Sequence, residues 1–461
     1  MLVIPWELRG MRVLVVGAAR TGRAVARFLC KSGAKVWVVE KEPEEKFPGV
    51  RGELESLGAE VEFGPHREEP FLWAQGIVVS PGVPPHMELL AMASLKGVSV
   101  VGELELASWF FSKPIVAITG TNGKTTTTTL VGLALEAWGK RVFVGGNIGN
   151  PFIQALELDW EPDVAVLEVS SFQLETTHLF RPKVAGLLNL TQDHLDWHPS
   201  MDHYRRSKAK IFSRQGPGDV AVVNRDDPEA LALVPDNASM EVLLFSLEDK
   251  KASAWAEGQI VRWRAGDTIQ TLDLNHSVLS GPHGLQNCMA AALCSSSMGC
   301  PPWAMERALR EFRGLEHRTE SVGEVMGVRF VNDSKATNVG AVIPAIMGCE
   351  GGVVWIGGGK YKSIDFSPLR EPLRKKAKAA VLLGEAAPYL ERALRGILPL
   401  HVVRDLEEAV PLAFSLASPG DTVLFSPACS SFDQYRNYEE RGRHFKELVG
   451  KLARGQYPKG K

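Results

Sequence analysis

The chain has no C-x-x-C pair: its six cysteines, Cys30, Cys288, Cys294, Cys300, Cys349 and Cys429, are scattered over 461 residues. Thiols so dispersed argue against a disulfide scaffold and for reduced, mostly buried groups in a cytoplasmic protein. No apolar run approaches the length that crosses a bilayer, so no membrane insertion is expected. Met1 to Arg12 lacks a basic stretch followed by a long apolar segment, so no secretory signal is expected either. Neither sign of charge is in excess. A formal net charge of −2 provides no global field toward nucleic acid, and an anionic substrate would need locally placed basic groups. Tandem repeats and low-complexity segments are missing. What remains is an ordinary soluble composition, 45% hydrophobic and 23% charged. Composition does not fix the oligomeric state; a monomer is the expectation.

At about 150 residues per domain, the length suggests three domains. Short apolar strands, glycine turns and amphipathic helices alternate throughout, which predicts α/β units with mainly parallel sheets flanked by helices. In the first block, Arg12–Gly17 reads as a strand, Ala24 to Lys31 as a helix, and Val36 to Glu40 and Gly76 to Ser80 as further strands. Ser112-Lys113-Pro114 marks a junction, because proline stops any preceding helix. A second block has strands at Ile115–Ile118, Val164–Val169, Val184–Asn189 and Val220–Asn224. From Val242 to Leu274 the alternation predicts an antiparallel appendage. A third block has strands at Val328–Val331, Val353–Ile356, Ala380–Leu383 and Thr422–Phe425. The expected domains are residues 1–113, 114–314 and 315–461.

The strongest local signal is Gly120-Thr121-Asn122-Gly123-Lys124-Thr125, between a strand and a helix. Backbone N–H groups in such a loop cradle phosphate oxygens, and the helix start adds the positive end of its dipole. Lys124 would reach the β- and γ-phosphates of ATP, and the Thr125 hydroxyl would sit on Mg²⁺. The spacing departs from the usual phosphate loop, with Ile118 where a glycine is common. The plain alternative is a strand-to-helix turn with a solvated lysine. The threonines from Thr126 to Thr129 are poor helix formers, so tertiary contacts or ligand must hold that turn.

Glu168 ends an apolar strand, where ligands of α/β sheets gather. Beside a phosphate loop it is a candidate oxygen ligand for Mg²⁺; alone it would equally be a strand-end carboxylate. Asn189-Leu-Thr-Gln-Asp193-His194-Leu-Asp196-Trp-His198 is dense in potential ligands. Its composition allows zinc, but no cysteine completes a tetrahedral set. Asp193 and Asp196 could instead cap helices, and His198 and His203 read as surface groups. Only His194 is kept as a site residue.

These segments, with Glu168-Val-Ser-Ser-Phe-Gln-Leu-Glu175, Tyr204-Arg-Arg-Ser-Lys208, His317-Arg318, Asn332-Asp-Ser-Lys-Ala-Thr-Asn338, Lys362-Ser-Ile-Asp365 and Ser426-Pro-Ala-Cys-Ser-Ser-Phe-Asp-Gln434, resemble the Mur ligase family, on its D-glutamate-adding branch. The resemblance spans the second and third blocks. It implies an ATP-dependent amide-bond-forming ligase of peptidoglycan precursor synthesis. ATP phosphorylates the carboxylate of UDP-N-acetylmuramoyl-L-alanine, and the amine of D-glutamate attacks the acyl phosphate. It implies a Rossmann-like N-terminal domain, a central P-loop ATPase-like domain and a Rossmann-like C-terminal domain. Residues Gly120 to Thr126 and Asn287 would then hold ATP. Thr125 and Glu168 would hold a first Mg²⁺ and His194 a second. Lys208 would be carbamylated and metal-linked, although by itself it reads as a solvent-facing lysine on a basic helix. Lys124, His194 and Lys208 would be the catalytic set. Arg318 would meet phosphate and Asp333 ribose. Ser170 and Asn147 would contact the muramoyl substrate. Lys335, Thr337, Lys362, Ser431, Phe432 and Tyr438 would form the D-glutamate pocket, where lysines meet a dicarboxylate. The family's His-Asn pair is altered, with Gly284 after His283, but Asn287 still fits.

Gly17-Ala-Ala19-Arg-Thr21-Gly22 after a strand, with Glu40 ending the next, also resembles a dinucleotide fingerprint. That supports a rival class, an NAD-dependent oxidoreductase, although Ala19 replaces the glycine wanted for close pyrophosphate approach. In the ligase reading this loop holds the UDP diphosphate, with Thr21 supplying a hydroxyl and Ser80, Pro81 and Gly82 flanking uracil. Glu40-Lys41-Glu42 stands where the family has an acidic-hydroxyl-arginine triplet. A third class, a non-catalytic nucleotide-binding scaffold, would keep the loops without Lys208, His194 and Lys335. Related ligases adding L-alanine, a diamino acid or a D-Ala-D-Ala dipeptide are the nearest alternatives in chemistry.

Overall fold

The computed structural model describes residues 5–84, 86–193, 197–236, 238–275 and 277–456. The chain divides into two compact units, Met1–Phe312 and Arg313–Lys461. Among the described residues, twenty strands form three sheets, two in the first unit and one in the second.

The first sheet contains β1 (Arg12–Val16), β2 (Lys35–Glu40), β3 (Glu60–Phe63), β4 (Gly76–Val79) and β5 (Ser99–Gly102). All pair in parallel, in the order β3-β2-β1-β4-β5. Runs such as Val13-Leu-Val-Val16 are buried on both faces, as continuous valine-rich strands under crossover helices must be. The helix after β1 starts at Arg20, four residues before the start expected at Ala24.

The second sheet contains β6 (Ile115–Thr119), β7 (Val142–Gly146), β8 (Val164–Glu168), β9 (Val184–Leu187), β10 (Val220–Asn224), β11 (Glu241–Ser246), β12 (Ala254–Glu257), β13 (Ile260–Ala265) and β14 (Thr268–Asp273). β6 lies between β8 and β9, with β7 outside β8, so the strand order reverses beside β6. Such a switch point opens a crevice at the carboxyl ends of the strands. The expected antiparallel appendage is corrected in part. β11 pairs parallel with β10, and only β12, β13 and β14 are joined antiparallel.

Within this unit, two buried glutamates on the helix Glu103–Phe110 tie the first sheet to the second. Glu105 accepts the main-chain N–H groups of His178, Leu179 and Phe180 at 2.9, 2.7 and 3.0 Å. Glu103 accepts Ile153 N–H through Oε1 at 2.6 Å, while its Oε2 has no partner. Burial pushes the Glu103 carboxyl from 4.5 up to about 7, because the backbone donors offset only part of the desolvation. Between those values the folded chain keeps a proton that the unfolded chain has lost, so stability falls as pH rises through that window. Glu103→Gln should remove this fall, worth at most about 3 kcal/mol. Denaturant unfolding at pH 5 and pH 8 measures it; equal pH slopes in the two proteins would contradict the assignment.

The third sheet contains β15 (Glu320–Val325), β16 (Val328–Asn332), β17 (Val353–Gly358), β18 (Ala377–Leu383), β19 (Leu400–Val402) and β20 (Thr422–Phe425). Its order is β15-β16-β20-β17-β18-β19, parallel except for the edge strand β15. The central strands β16, β20 and β17 deliver their following loops to the same end of the sheet.

Candidate functional site

In the first unit, the loop after β6 is held by its neighbour β9. Asn189 Oδ1 accepts the N–H groups of Thr121 and Asn122 at 3.1 and 2.8 Å, and its Nδ2 donates to Asn122 O at 3.1 Å. Gly120 (φ 150°) and Gly123 (φ 83°) adopt backbone that other residues rarely reach. A Cβ on Gly123 would lie 2.3 Å from Asn287 Oδ1. That close approach places Asn287 beside the loop. Lys124 donates to Gly120 O and Thr121 O at 3.0 and 2.8 Å. The helix Lys124–Ala137 begins there. Thr126 is buried in it, and the threonine run is steadied by Thr129 Oγ1 donating to Thr125 O at 2.8 Å and Thr127 Oγ1 to Asn287 Oδ1 at 3.4 Å.

Glu168, at the end of β8, is buried and joins two expected sites. Thr125 Oγ1 donates to its Oε2 at 2.6 Å, and Asn147 Nδ2 donates to its Oε1 at 2.7 Å. A hydroxyl and a carboxylate at a helix N-terminus form a hard oxygen donor set, suited to Mg²⁺ beside phosphate. Ser170 is the N-cap of the helix Ser171–Glu175, in a reciprocal capping box with Gln173.

Lys208 is buried, contrary to the solvent-facing alternative. Its Nζ donates to Gly120 O at 2.9 Å and Thr119 Oγ1 at 3.3 Å, and lies 4.8 Å from the centre of the Tyr204 ring. Tyr204 in turn shares a hydrogen bond with Thr121 Oγ1 at 3.1 Å. Burial, then the positive charge of Lys124, holds the Lys208 amine well below the usual lysine range. His194, expected as a metal ligand, lies outside the described residues.

Next to this lies a cavity of about 820 Å³ lined by Thr21, Ser80, Pro81, Gly82, Asn147 and Arg20, among others. It joins the first sheet's loop to the Asn147 turn, and Arg20 in its wall donates to Asn150 Oδ1 at 2.9 Å. Ser80 Oγ is buried without a partner in its wall. Glu40, which the dinucleotide reading assigns to a ribose, instead accepts Ala18 N–H at 2.8 Å and Glu42 N–H at 3.0 Å. Both of its oxygens already hold the turn.

In the second unit, Lys335 and Thr337 follow β16, Lys362 follows β17, and Ser431 and Phe432 follow β20. Lys335 Nζ sits 4.7 Å from the centre of the Tyr438 ring. Ser431 is buried, whereas Phe432 is two-thirds exposed. Asp333 accepts Ser426 Oγ at 2.7 Å and Thr319 N–H at 3.0 Å. Its carboxyl is raised by burial to about 6, against the lowering effect of those bonds and of Arg318. Sequence reasoning missed Arg441, which is buried and bonds Ser334 O at 2.7 Å and Cys429 O at 3.0 Å, clasping the loops after β16 and β20. It missed Asn189 as well. Its place at the end of an apolar strand was the available signal.

Residues 11–102 match the MurD-like N-terminal domain of Mur ligases, 118–295 the Mur ligase middle domain, and 317–429 the Mur ligase glutamate ligase domain. A UDP-N-acetylmuramoylalanine--D-glutamate ligase of Geobacter sp. strain M21 is 43% identical over 454 residues, covering 98% of this chain and 100% of the relative. The protein of the same name from Pelobacter propionicus is 44% identical over 450 residues, covering 97% and 100%. The chain belongs to the Mur ligase family. Among solved structures, a pseudomurein peptide ligase type C from Methanothermus fervidus matches with a TM-score of 0.62 at 18% identity, covering 96% of this chain and 100% of that one. A UDP-N-acetylmuramate-alanine ligase from Thermotoga maritima gives 0.60 at 20%, with the same coverage. These two share the fold.

Proposed function

We propose that this chain is an ATP-dependent ligase that forms the amide between UDP-N-acetylmuramoyl-L-alanine and D-glutamate in peptidoglycan precursor synthesis. The observation that carries the reading is full-length similarity to ligases of that name, together with a buried lysine, a glycine loop and a carboxylate–hydroxyl pair at one switch point. A carboxylate is a poor electrophile, so it must be activated, and ATP supplies the phosphoryl group that makes it an acyl phosphate. Two anions must then approach each other, and positive charge must offset their repulsion. Lys124 and the loop from Gly120 to Thr126 bind the triphosphate, with Asn287 beside it. Thr125 and Glu168 hold one Mg²⁺, which screens that charge. His194 and a carbamate on Lys208 are assigned to a second. Arg318 and Asp333 are assigned to the nucleotide.

The cavity beside Thr21, Ser80, Pro81, Gly82 and Asn147 takes the UDP sugar, with Ser170 near its peptide end. Lys335, Thr337, Lys362, Ser431, Phe432 and Tyr438 receive D-glutamate, whose two carboxylates match two lysines. Domain limits at 113 and 314, a monomer and a cytoplasmic location belong to the same reading. The unpaired cysteines fit a reducing compartment, and no described helix is long and apolar enough to cross a membrane.

Phosphate release from ATP tests the proposal. It should require Mg²⁺, the UDP-muramoyl acceptor and D-glutamate together, and L-alanine, a diamino acid or D-Ala-D-Ala should not replace D-glutamate. Lys362→Ala should raise KM for D-glutamate about 10- to 100-fold, the loss of one charged hydrogen bond, with little change in KM for ATP. An unchanged KM for D-glutamate would remove Lys362 from the pocket.

A further inference from the structure

His198 departs most from expectation. It is buried, not a surface group, and stacks on Phe172 at 5.5 Å with Tyr204 5.2 Å away on another side. Its Nδ1 lies 3.0 Å from Nδ1 of His203, and its Nε2 lies 2.9 Å from Ser171 Oγ. His203 Nε2 is 3.3 Å from Glu175 Oε1. Ligand atoms of Glu175, His198 and His203 all fall within 4.8 Å of one another.

One of the two facing Nδ1 atoms must carry the proton, and the negative charge of Glu175, 3.3 Å from Nε2, favours the His203 tautomer with its proton on Nε2. His203 Nδ1 therefore presents a lone pair. Without an ion, His198 Nδ1–H fills the gap and Ser171 donates to His198 Nε2. Moving the His198 proton from Nδ1 to Nε2, with Ser171 turning to accept it, sets two lone pairs face to face. A metal bound at about 2.0–2.1 Å to each nitrogen needs them roughly 3.3 Å apart in tetrahedral geometry, so the pair must open by only a few tenths of an ångström. The His198 imidazole would then donate its far N–H to Ser171 Oγ, the usual support for metal-bound histidine. The cluster Glu316–His317–Glu320 offers a contrast. There the Lys446 ammonium already meets both carboxylates, at 3.0 and 2.6 Å. At Glu175 the nearby Lys210 bonds the main-chain carbonyl instead, at 2.5 Å.

We propose that His198, His203 and Glu175 form a binding site for a divalent transition ion such as Zn²⁺, pinning the helix Ser171–Glu175 to the helix Met201–Ala209. Two imidazole nitrogens favour Zn²⁺, Co²⁺, Ni²⁺ or Cu²⁺ over Mg²⁺, which prefers oxygen. Glu175 turns inward as the third ligand and water completes the set. None of these three residues is among the ligase assignments above, and the readout needs no substrate.

The test is Co²⁺ titration of the full chain in saturating Mg²⁺, read by visible absorption. The wild type should develop the intense band of tetrahedral Co²⁺, and Zn²⁺ should abolish it. In His203→Gln, whose side chain is one-third exposed in the wild type, the band should be lost and Zn²⁺ affinity should drop at least tenfold. An unchanged rate of phosphate release shows that this variant is folded. No band in the wild type, or the same band in wild type and variant, overturns the site.

Discussion

Lys208→Ala should lower phosphate release by about 100-fold or more, and added bicarbonate should not restore it. The reason lies in where the amine sits. Carbon dioxide reacts with a free amine, not an ammonium: the nitrogen lone pair forms the N–C bond and a proton leaves to solvent. A lysine in water is almost wholly protonated at neutral pH. Burial and the adjacent charge of Lys124 hold the Lys208 amine well below that range, which favours the reactive form over the ammonium. The proposed carbamate would place an anion beside Lys124, giving attraction where an ammonium would repel. Alanine offers no nitrogen, so bicarbonate has nothing to modify, whereas a short carboxylic acid fits the space left and supplies the missing anion. Partial rescue by acetate or a homologue is the expected signature. Full activity of the alanine variant, or an unmodified Lys208 in a well-ordered active crystal, would refute the carbamate.

Lys124→Ala should be as severe, about 10²- to 10³-fold in kcat, the cost of removing one preorganised donor from a site of developing charge. Its Nζ rests on Gly120 O and Thr121 O, carbonyls of the loop it serves. The ammonium is therefore stationed at the loop, and little side-chain ordering remains when the triphosphate arrives. A second effect follows from Lys208. With the Lys124 charge gone, one of the two causes lowering the Lys208 amine disappears, and less of it is free at a given pH. The double variant should then be much less than additive, because the proposed function has both residues acting on the same phosphoryl transfer. Rates measured at saturating ATP for wild type, each single variant and the double variant close the cycle. Strict additivity would separate the two lysines functionally.

Much of this was legible in the chain because the signals are local. Gly120 to Thr125 lies between an apolar strand and a helix, and only glycine suits φ values of 150° and 83° at its two ends. Glu168 was readable as the last residue of a buried strand. Where the reading failed, the deciding partner was distant. His198 sits among polar neighbours in sequence, yet Phe172 and Ser171, some 26 residues earlier, cover it. Arg441 looks like one more charge on a C-terminal helix until its bonds to Ser334, 107 positions away, are seen. The strand β11 alternates like an edge hairpin but joins β10 in parallel, because pairing is chosen by the neighbouring strand and not by the period of one segment.

The amino-acid sequence by itself determined the α/β class, the glycine loop with its lysine and hydroxyl, and the strand-end carboxylate, since each depends on backbone preferences and burial patterns within a few residues. The tertiary structure alone decided that Lys208 is buried, that Asn189 grips the loop, that Glu168 joins Thr125 to Asn147, and that two histidines face each other beside Glu175. Desolvation and hydrogen bonding act through space, so a side chain's proton affinity and partners follow from which strands lie side by side, and that order is settled only when the sheets assemble.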